Sequence, residues 1–204
     1  MKLYLAKGTI SVAAAIVAEE AGLAYTPMVV DFAAGVQNQP EYLAINPKGR
    51  VPALEVPGGI LTETGAILDY LADLAPSAGV VPQDPVQAGR MREVMYYLAS
   101  TMHVNHAHKL RGHRWATQTA SHEDMRAKVT ENMADCCAYI ERNAIKGPYV
   151  LGDQFCVADA YLYVVSTWLA GDGVTIFDYP KLAAHHAAMG ERPSVKAVRA
   201  AGYL

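Results

Sequence analysis

Asn46-Pro47-Lys48-Gly49-Arg50-Val51-Pro52-Ala53-Leu54 opens a stretch that runs through Pro57-Gly58-Gly59 to Leu61-Thr62-Glu63-Thr64-Gly65-Ala66-Ile67. Its reading decides the fold. Val51 to Val56 reads as a strand, and a proline is tolerated at a strand start because its missing N–H is not needed there. Pro57-Gly58-Gly59 is a hairpin turn that sends the chain back along Ile60-Leu61. Thr64 then caps a helix to Leu74, with Ile67, Leu68, Leu71 and Leu74 on one side.

Upstream, Lys2 to Ala6 and Tyr25 to Val30 are strands, and Ser11 to Gly22 is a helix started by Ser11 and stopped by Gly22. Glu41 to Ile45 makes one helical turn. The order βαβαββα predicts a small mixed sheet, with crossovers joining the first three strands and a hairpin joining the last pair. Downstream, Pro76 to Pro85 holds three prolines and a glycine in ten residues and reads as a linker. No strand signal follows it. Residues 86–116 and 122–144 read as long helices, a third starts near Val157, and shorter ones follow Pro180 and Pro193. This half is an all-helical bundle.

With 52% hydrophobic and 18% charged residues in 204, the chain can build a sizeable core. A formal net charge of −3 argues against a nucleic-acid binder. Cys136 and Cys137 are adjacent and Cys156 stands apart, so neither a disulfide framework nor a CxxC metal pair is present. A reducing cytoplasm is expected. No apolar run approaches the roughly 20 residues that span a bilayer. Ile10 to Ala18 is followed at once by Glu19 and Glu20 and lacks a basic flank, so it is not expected to be a secretory signal.

Two features carry chemistry. If the Val51–Pro52 bond is cis, the N–H and C=O beside it turn outward and can pair with an extended peptide; if trans, Pro52 is an ordinary strand-edge residue. Thr62-Glu63-Thr64 puts a carboxylate and hydroxyls at a helix N-terminus. Main-chain N–H groups there suit a ligand carboxylate and Glu63 suits an ammonium, although the same residues also make a plain cap. His103 and His106 share a helix face, but His108 lies well round it. A three-ligand metal site is therefore not implied, and no metal is expected.

These features, in this order and ahead of a helical half, resemble the glutathione transferase family, nearest to its bacterial beta-like group. The resemblance extends over the Ser11 helix, the Asn46 to Leu54 segment, Thr62-Glu63-Thr64 with Ala66-Ile67, and Tyr70-Leu71. It also includes Gly152-Asp153-Gln154-Phe155-Cys156-Val157-Ala158-Asp159-Ala160. It implies an α/β thioredoxin-like domain over 1–77 with a glutathione site, a linker over 78–85, and an all-α domain over 86–204. It further implies a homodimer, a cytoplasmic detoxification role, and transfer of the glutathione thiolate to a hydrophobic electrophile. By position, Val51 pairs its backbone with the cysteinyl part of glutathione, with Pro52 cis, while Glu63 and Thr64 bind the γ-glutamyl end.

Three departures from the beta-like pattern shape the catalytic expectation. Ile10 stands where the group often has a cysteine, which leaves Thr9 and Ser11 as alternative hydroxyl donors to the sulfur. Gly35 stands where a lysine can pair with the glycyl carboxylate, so weaker glutathione binding is expected unless Gln37 or Lys48 compensates. Cys156 replaces the usual Ser or Thr cap, with Asp159 kept as a structural partner. His103 matches a histidine that the group sets near the thiol, and Ser100 lies one turn earlier. Tyr96, Tyr97, Trp115 and Trp168 are candidates for a second-substrate pocket, and Tyr4 is read as packing. Two alternatives stay open: glutathione-dependent disulfide reduction, which Ile10 permits, and a catalytically silent glutathione-binding module.

Overall fold

The computed structural model describes residues 1–204 as two compact units, Met1–Asp84 with Met189–Leu204, and Pro85–Ala188. The first holds β1 (Lys2–Leu5), α1 (Val12–Glu20), β2 (Thr26–Val29), α2 (Pro40–Leu43), β3 (Ala53–Val56), β4 (Gly59–Thr62) and α3 (Thr64–Leu74). The second holds α4 (Pro85–Tyr97), α5 (His103–Arg111), α6 (Thr119–Tyr139), α7 (Val157–Ser166) and most of α8 (Pro180–Gly190). The last helix, α9 (Pro193–Ala200), belongs to the first.

The four strands form one mixed sheet in the order β2-β1-β3-β4. β1 pairs parallel with β2, and antiparallel with β3, where Leu3 faces Leu54 and Tyr4 faces Ala53. β3 and β4 close the hairpin with Ala53 opposite Thr62. The element order is the one the sequence predicts. One connection differs: β3 runs against β1, so only β1-α1-β2 is a parallel crossover. β2 lies at the edge with all four residues exposed, Pro27 among them.

α1 is apolar all round, from Val12 to Ala18, and each of these residues is at most 1% exposed. A helix with no polar face must be covered on every side. Its three consecutive alanines let β1, α3 and α9 approach closely. Ile10, at 5% exposure, joins this core with Leu3, Leu5, Leu54, Ile67, Leu68 and Leu71. Each such large side chain contributes about 1.5–3 kcal/mol when buried.

Residues 189–204 group with the first unit, whereas the sequence reading runs the helical body to the C-terminus. The physical tie is a forked ion pair: Arg192 Nε and Nη2 donate to Glu20 Oε1 and Oε2 at 2.6 Å each, and Ser194 donates to the same carboxylate. Burial alone would raise the Glu20 pKa, but the Arg192 and Ser194 bonds outweigh it and hold the carboxyl below its ordinary value.

The second unit has no named strand. The helix expected over 86–116 is a rod with a widened π turn at Leu98–Met102 and a tight turn at Gly112–Arg114. α6 starts at Thr119, ahead of the expected 122. All ten residues of α7 are buried. At its start Asp159 Oδ2 accepts the Cys156 N–H at 2.8 Å, while Oδ1 accepts the Val150 N–H at 2.7 Å and meets His185 Nε2 at 2.9 Å. Burial, then Asp159, pushes the Cys156 thiol well above its usual range, and burial takes Cys137 up to about 12. No helix is long and apolar enough to cross a membrane.

Candidate active site

The sheet register gathers the site at one end of the first unit. Tyr4 pairs with Ala53 and Ala53 with Thr62. Extending the β1–β3 register by two residues brings Ala6 level with Val51, and the end of β4 delivers Glu63 and Thr64 to the same edge. Val51–Pro52 is a cis bond. The Arg50 carbonyl just ahead of it is clamped by Tyr42 Oη and Asn46 Nδ2, both at 2.7 Å. The Val51 N–H and C=O make no hydrogen bond within the chain. Gly49 is required here, because it holds φ +60° and a Cβ would stand 3.0 Å from the Gln37 carbonyl.

Glu63 is the one non-glycine residue with positive φ, at 72°. Such a backbone costs on the order of 1–3 kcal/mol and persists where its surroundings demand it. It throws the Glu63 side chain outward, 67% exposed, at the head of α3. The Thr64, Gly65 and Ala66 N–H groups behind it have no partner. Lys48 Nζ holds the Glu63 carboxylate at 2.6 Å and Thr62 Oγ1 at 2.7 Å. Lys48 is thus brought to Glu63. Gln37 Oε1 is buried without a partner.

Thr9 and Ser11 form a single hydrogen-bonded unit. Ser11 is fully buried, and its Oγ accepts the Ala6 N–H at 3.0 Å. The two hydroxyls meet at 2.7 Å, and Thr9 Oγ1 donates to the Ala6 carbonyl at 2.9 Å. Thr9 is partly exposed. Ser11 makes no side-chain cap bond to α1, contrary to its reading as a helix starter; its hydroxyl is engaged by Ala6, just past β1, and by Thr9. The Ile10 and Ser11 N–H groups have no partner, so Ile10 keeps a main-chain donor although its side chain is inert.

In the second unit His103 follows the widened turn, and its ring lies 5.1 Å from Trp168. The Ser100 hydroxyl donates back to the Tyr96 carbonyl at 2.8 Å. The four candidate aromatics do not form one cluster: Tyr97 packs on Tyr139, Trp115 on His108, Trp168 on His103 and His106, and Tyr96 is 64% exposed. No signal in the sequence points to Asp172, which His106 Nδ1 meets at 2.7 Å. The two are 66 residues apart and only the fold joins them.

As chemistry, the first unit offers an open main-chain segment for an extended peptide, an anion-binding helix start beside an acid, and a hydroxyl pair. Profiles described as "Glutathione S-transferase, N-terminal domain" and "Glutathione S-transferase, C-terminal domain" match residues 1–73 and 106–201. The chain is 30% identical over 199 residues to the glutathione S-transferase GstA of Escherichia coli, covering 96% of each. It is 58% identical, with a TM-score of 0.98, to a solved glutathione transferase homologue from Sulfitobacter with bound glutathione, covering 100% of this chain and 98% of the other. A beta-class glutathione S-transferase from Sphingomonas chungbukensis aligns over 100% of both chains, at 30% identity and a TM-score of 0.86.

Proposed function

The chain belongs to the glutathione S-transferase family and is a glutathione transferase, and we propose that Thr9 is the hydroxyl that activates the bound thiol while Ser11 holds Thr9 in place. The hydrogen-bond geometry carries this choice. Ser11 takes the Ala6 N–H, so its own proton goes to Thr9 Oγ1 or to the Ala6 carbonyl, which lies 3.3 Å away. Neither direction leads to a ligand. Thr9 can release the Ala6 carbonyl, which still has the Thr9 N–H at 3.3 Å, and turn its proton toward a sulfur.

A free thiol titrates near 8.5, and lowering that by about two units takes roughly 2.7 kcal/mol. A hydrogen bond to a charged acceptor contributes about 1.5–3 kcal/mol. The start of a helix adds about 0.3–1 kcal/mol. One hydroxyl and the open N–H groups of Ile10 and Ser11 are therefore sufficient without a cysteine.

In this reading Val51 pairs with the cysteinyl backbone of glutathione beside Pro52, Thr64 and the α3 start take the γ-glutamyl carboxylate, and Glu63 takes its ammonium. Gln37 and Lys48 supply the glycyl end, with Lys48 leaving Glu63 as the ligand arrives. His103 and Ser100 are assigned to the handling of the second substrate, a hydrophobic electrophile. Residues 1–77 serve glutathione, 86 onward mainly the second substrate, and 78–85 joins them. The protein acts in detoxification in the cytoplasm as a two-fold homodimer, which light scattering tests by returning twice the chain mass.

The decisive measurement is thiolate absorbance in the ultraviolet against pH for glutathione bound to the wild type, Thr9→Val, Ser11→Ala and the double variant. Thr9→Val should raise the thiol pKa by about one to two units, Ser11→Ala by less, and the double variant by the most. Four coincident curves would reduce both hydroxyls to structural roles and make His103 the leading donor. Turnover of a mixed disulfide in place of an aromatic chloride would assign reduction to the site.

A further inference from the structure

We infer that Lys48 couples recognition of the two ends of glutathione, so that the site selects thiol peptides carrying both an amino group at one end and a carboxylate at the other; this deepens the γ-glutamyl and glycyl assignments and rests on them. Every group involved lies in the first unit. Lys48 Nζ donates to Glu63 Oε1 at 2.6 Å and to Thr62 Oγ1 at 2.7 Å. An ammonium resting on the Glu63 carboxylate is the arrangement assigned to the ligand's own amino group. The chain fills that position with a group of the same chemistry. One carboxylate neutralises one ammonium, and a second like charge beside the first is repelled. Arrival of the γ-glutamyl ammonium therefore turns Lys48 out.

The loop that carries Lys48 is pinned by Asn46, which is 1% exposed. Asn46 Oδ1 accepts the Lys48 N–H at 3.2 Å, its carbonyl accepts the Gly49 N–H at 2.9 Å, and its Nδ2 donates to the Arg50 carbonyl at 2.7 Å. Only the flexible four-carbon stem is free to swing its charge. The next residue, Gly49, lies so close to Gln37 that a Cβ would stand 3.0 Å from the Gln37 carbonyl. Gln37 also holds a buried Oε1 without a partner. The loop meets Glu63 through one residue and Gln37 through the next. Each ligand group then does better when the other is present. With both, the amino group takes Glu63 and the glycyl carboxylate takes the freed Lys48. With the amino group alone, Lys48 loses its carboxylate and gains none. With the glycyl carboxylate alone, Lys48 leaves Glu63 unpaired to reach it.

The test measures Kd by calorimetry for four peptides: glutathione, its glycinamide, and the two glutaryl-cysteinyl counterparts that lack only the amino group. Removing the amino group should weaken the free acid about two- to fivefold more than it weakens the amide, the size of one exposed ion pair. Lys48→Met should make the two losses equal, and Lys48→Arg should keep them apart. Lys48 is exposed, so neither change disturbs the core. Equal, non-zero losses in the wild type overturn the coupling and leave the γ-glutamyl assignment standing. The wild-type inequality persisting in Lys48→Met overturns it as well. If removing the amino group costs nothing in either pair, Glu63 does not hold it, and the γ-glutamyl assignment falls together with this inference.

Discussion

The two units treat their polar groups in opposite ways. At the head of α3 and around Val51 the first unit leaves main-chain donors and acceptors open, and Glu63 points outward from a strained backbone. At the head of α7 the second unit closes its acid: Asp159 is fully buried, and its two oxygens meet Val150, Cys156 and His185, whose Nδ1 alone is left without a partner. Both are acids at helix starts. Hydrogen-bond saturation, more than residue type, separates the proposed ligand site from the structural joint.

Three experiments press on that contrast. The largest effect belongs to the closed site. Asp159→Ala leaves two buried N–H groups and His185 without their acceptor and should cost about 3–5 kcal/mol in urea unfolding. A loss below about 1 kcal/mol would mean the joint is not closed energetically.

The open site should respond in binding. Glu63→Ala should weaken glutathione about ten- to a hundredfold by calorimetry. Glu63→Gly should weaken it equally, yet raise folding stability by about 1 kcal/mol, because glycine accepts φ 72° without strain. Equal stability of the Ala and Gly variants would show that the backbone is not strained.

The smallest effect concerns an acid of the first unit that is closed. Glu20 has a folded pKa below its ordinary value of 4.5, so its contribution is complete above that value and is lost as pH falls through the folded one. Thermal unfolding between about pH 6 and pH 3 should fall more steeply for the wild type than for Glu20→Gln, whose amide does not titrate. Parallel curves would remove Glu20 from the acid response.

What could be read from the chain before folding follows sequence distance. Thr9 to Ser11, Asn46 to Leu54 and Thr62 to Thr64 are local runs whose chemistry is written in neighbouring letters. The mixed sheet followed from the order of short periodic segments. What stayed hidden joins remote residues: Glu20 with Arg192, 172 positions on, and His106 with Asp172. Thr9 and Ser11 looked equivalent as letters. They diverged only when the Ala6 N–H, just past the end of β1, was offered to one of them.

Pro27 has a consequence for how copies of this protein behave in a crowded solution. Thr26 and Val30 donate their N–H groups inward, to Met1 and Leu5 at 2.9 and 2.8 Å, so the alternate residues, Pro27 and Val29, turn their nitrogens outward. Proline has no hydrogen to offer there, and it gives up nothing inside the sheet. The outer rim of β2 thus presents Val29 as its single main-chain donor. A foreign strand seeking to extend the sheet finds the rung at Pro27 missing, which protects an exposed edge from templated aggregation.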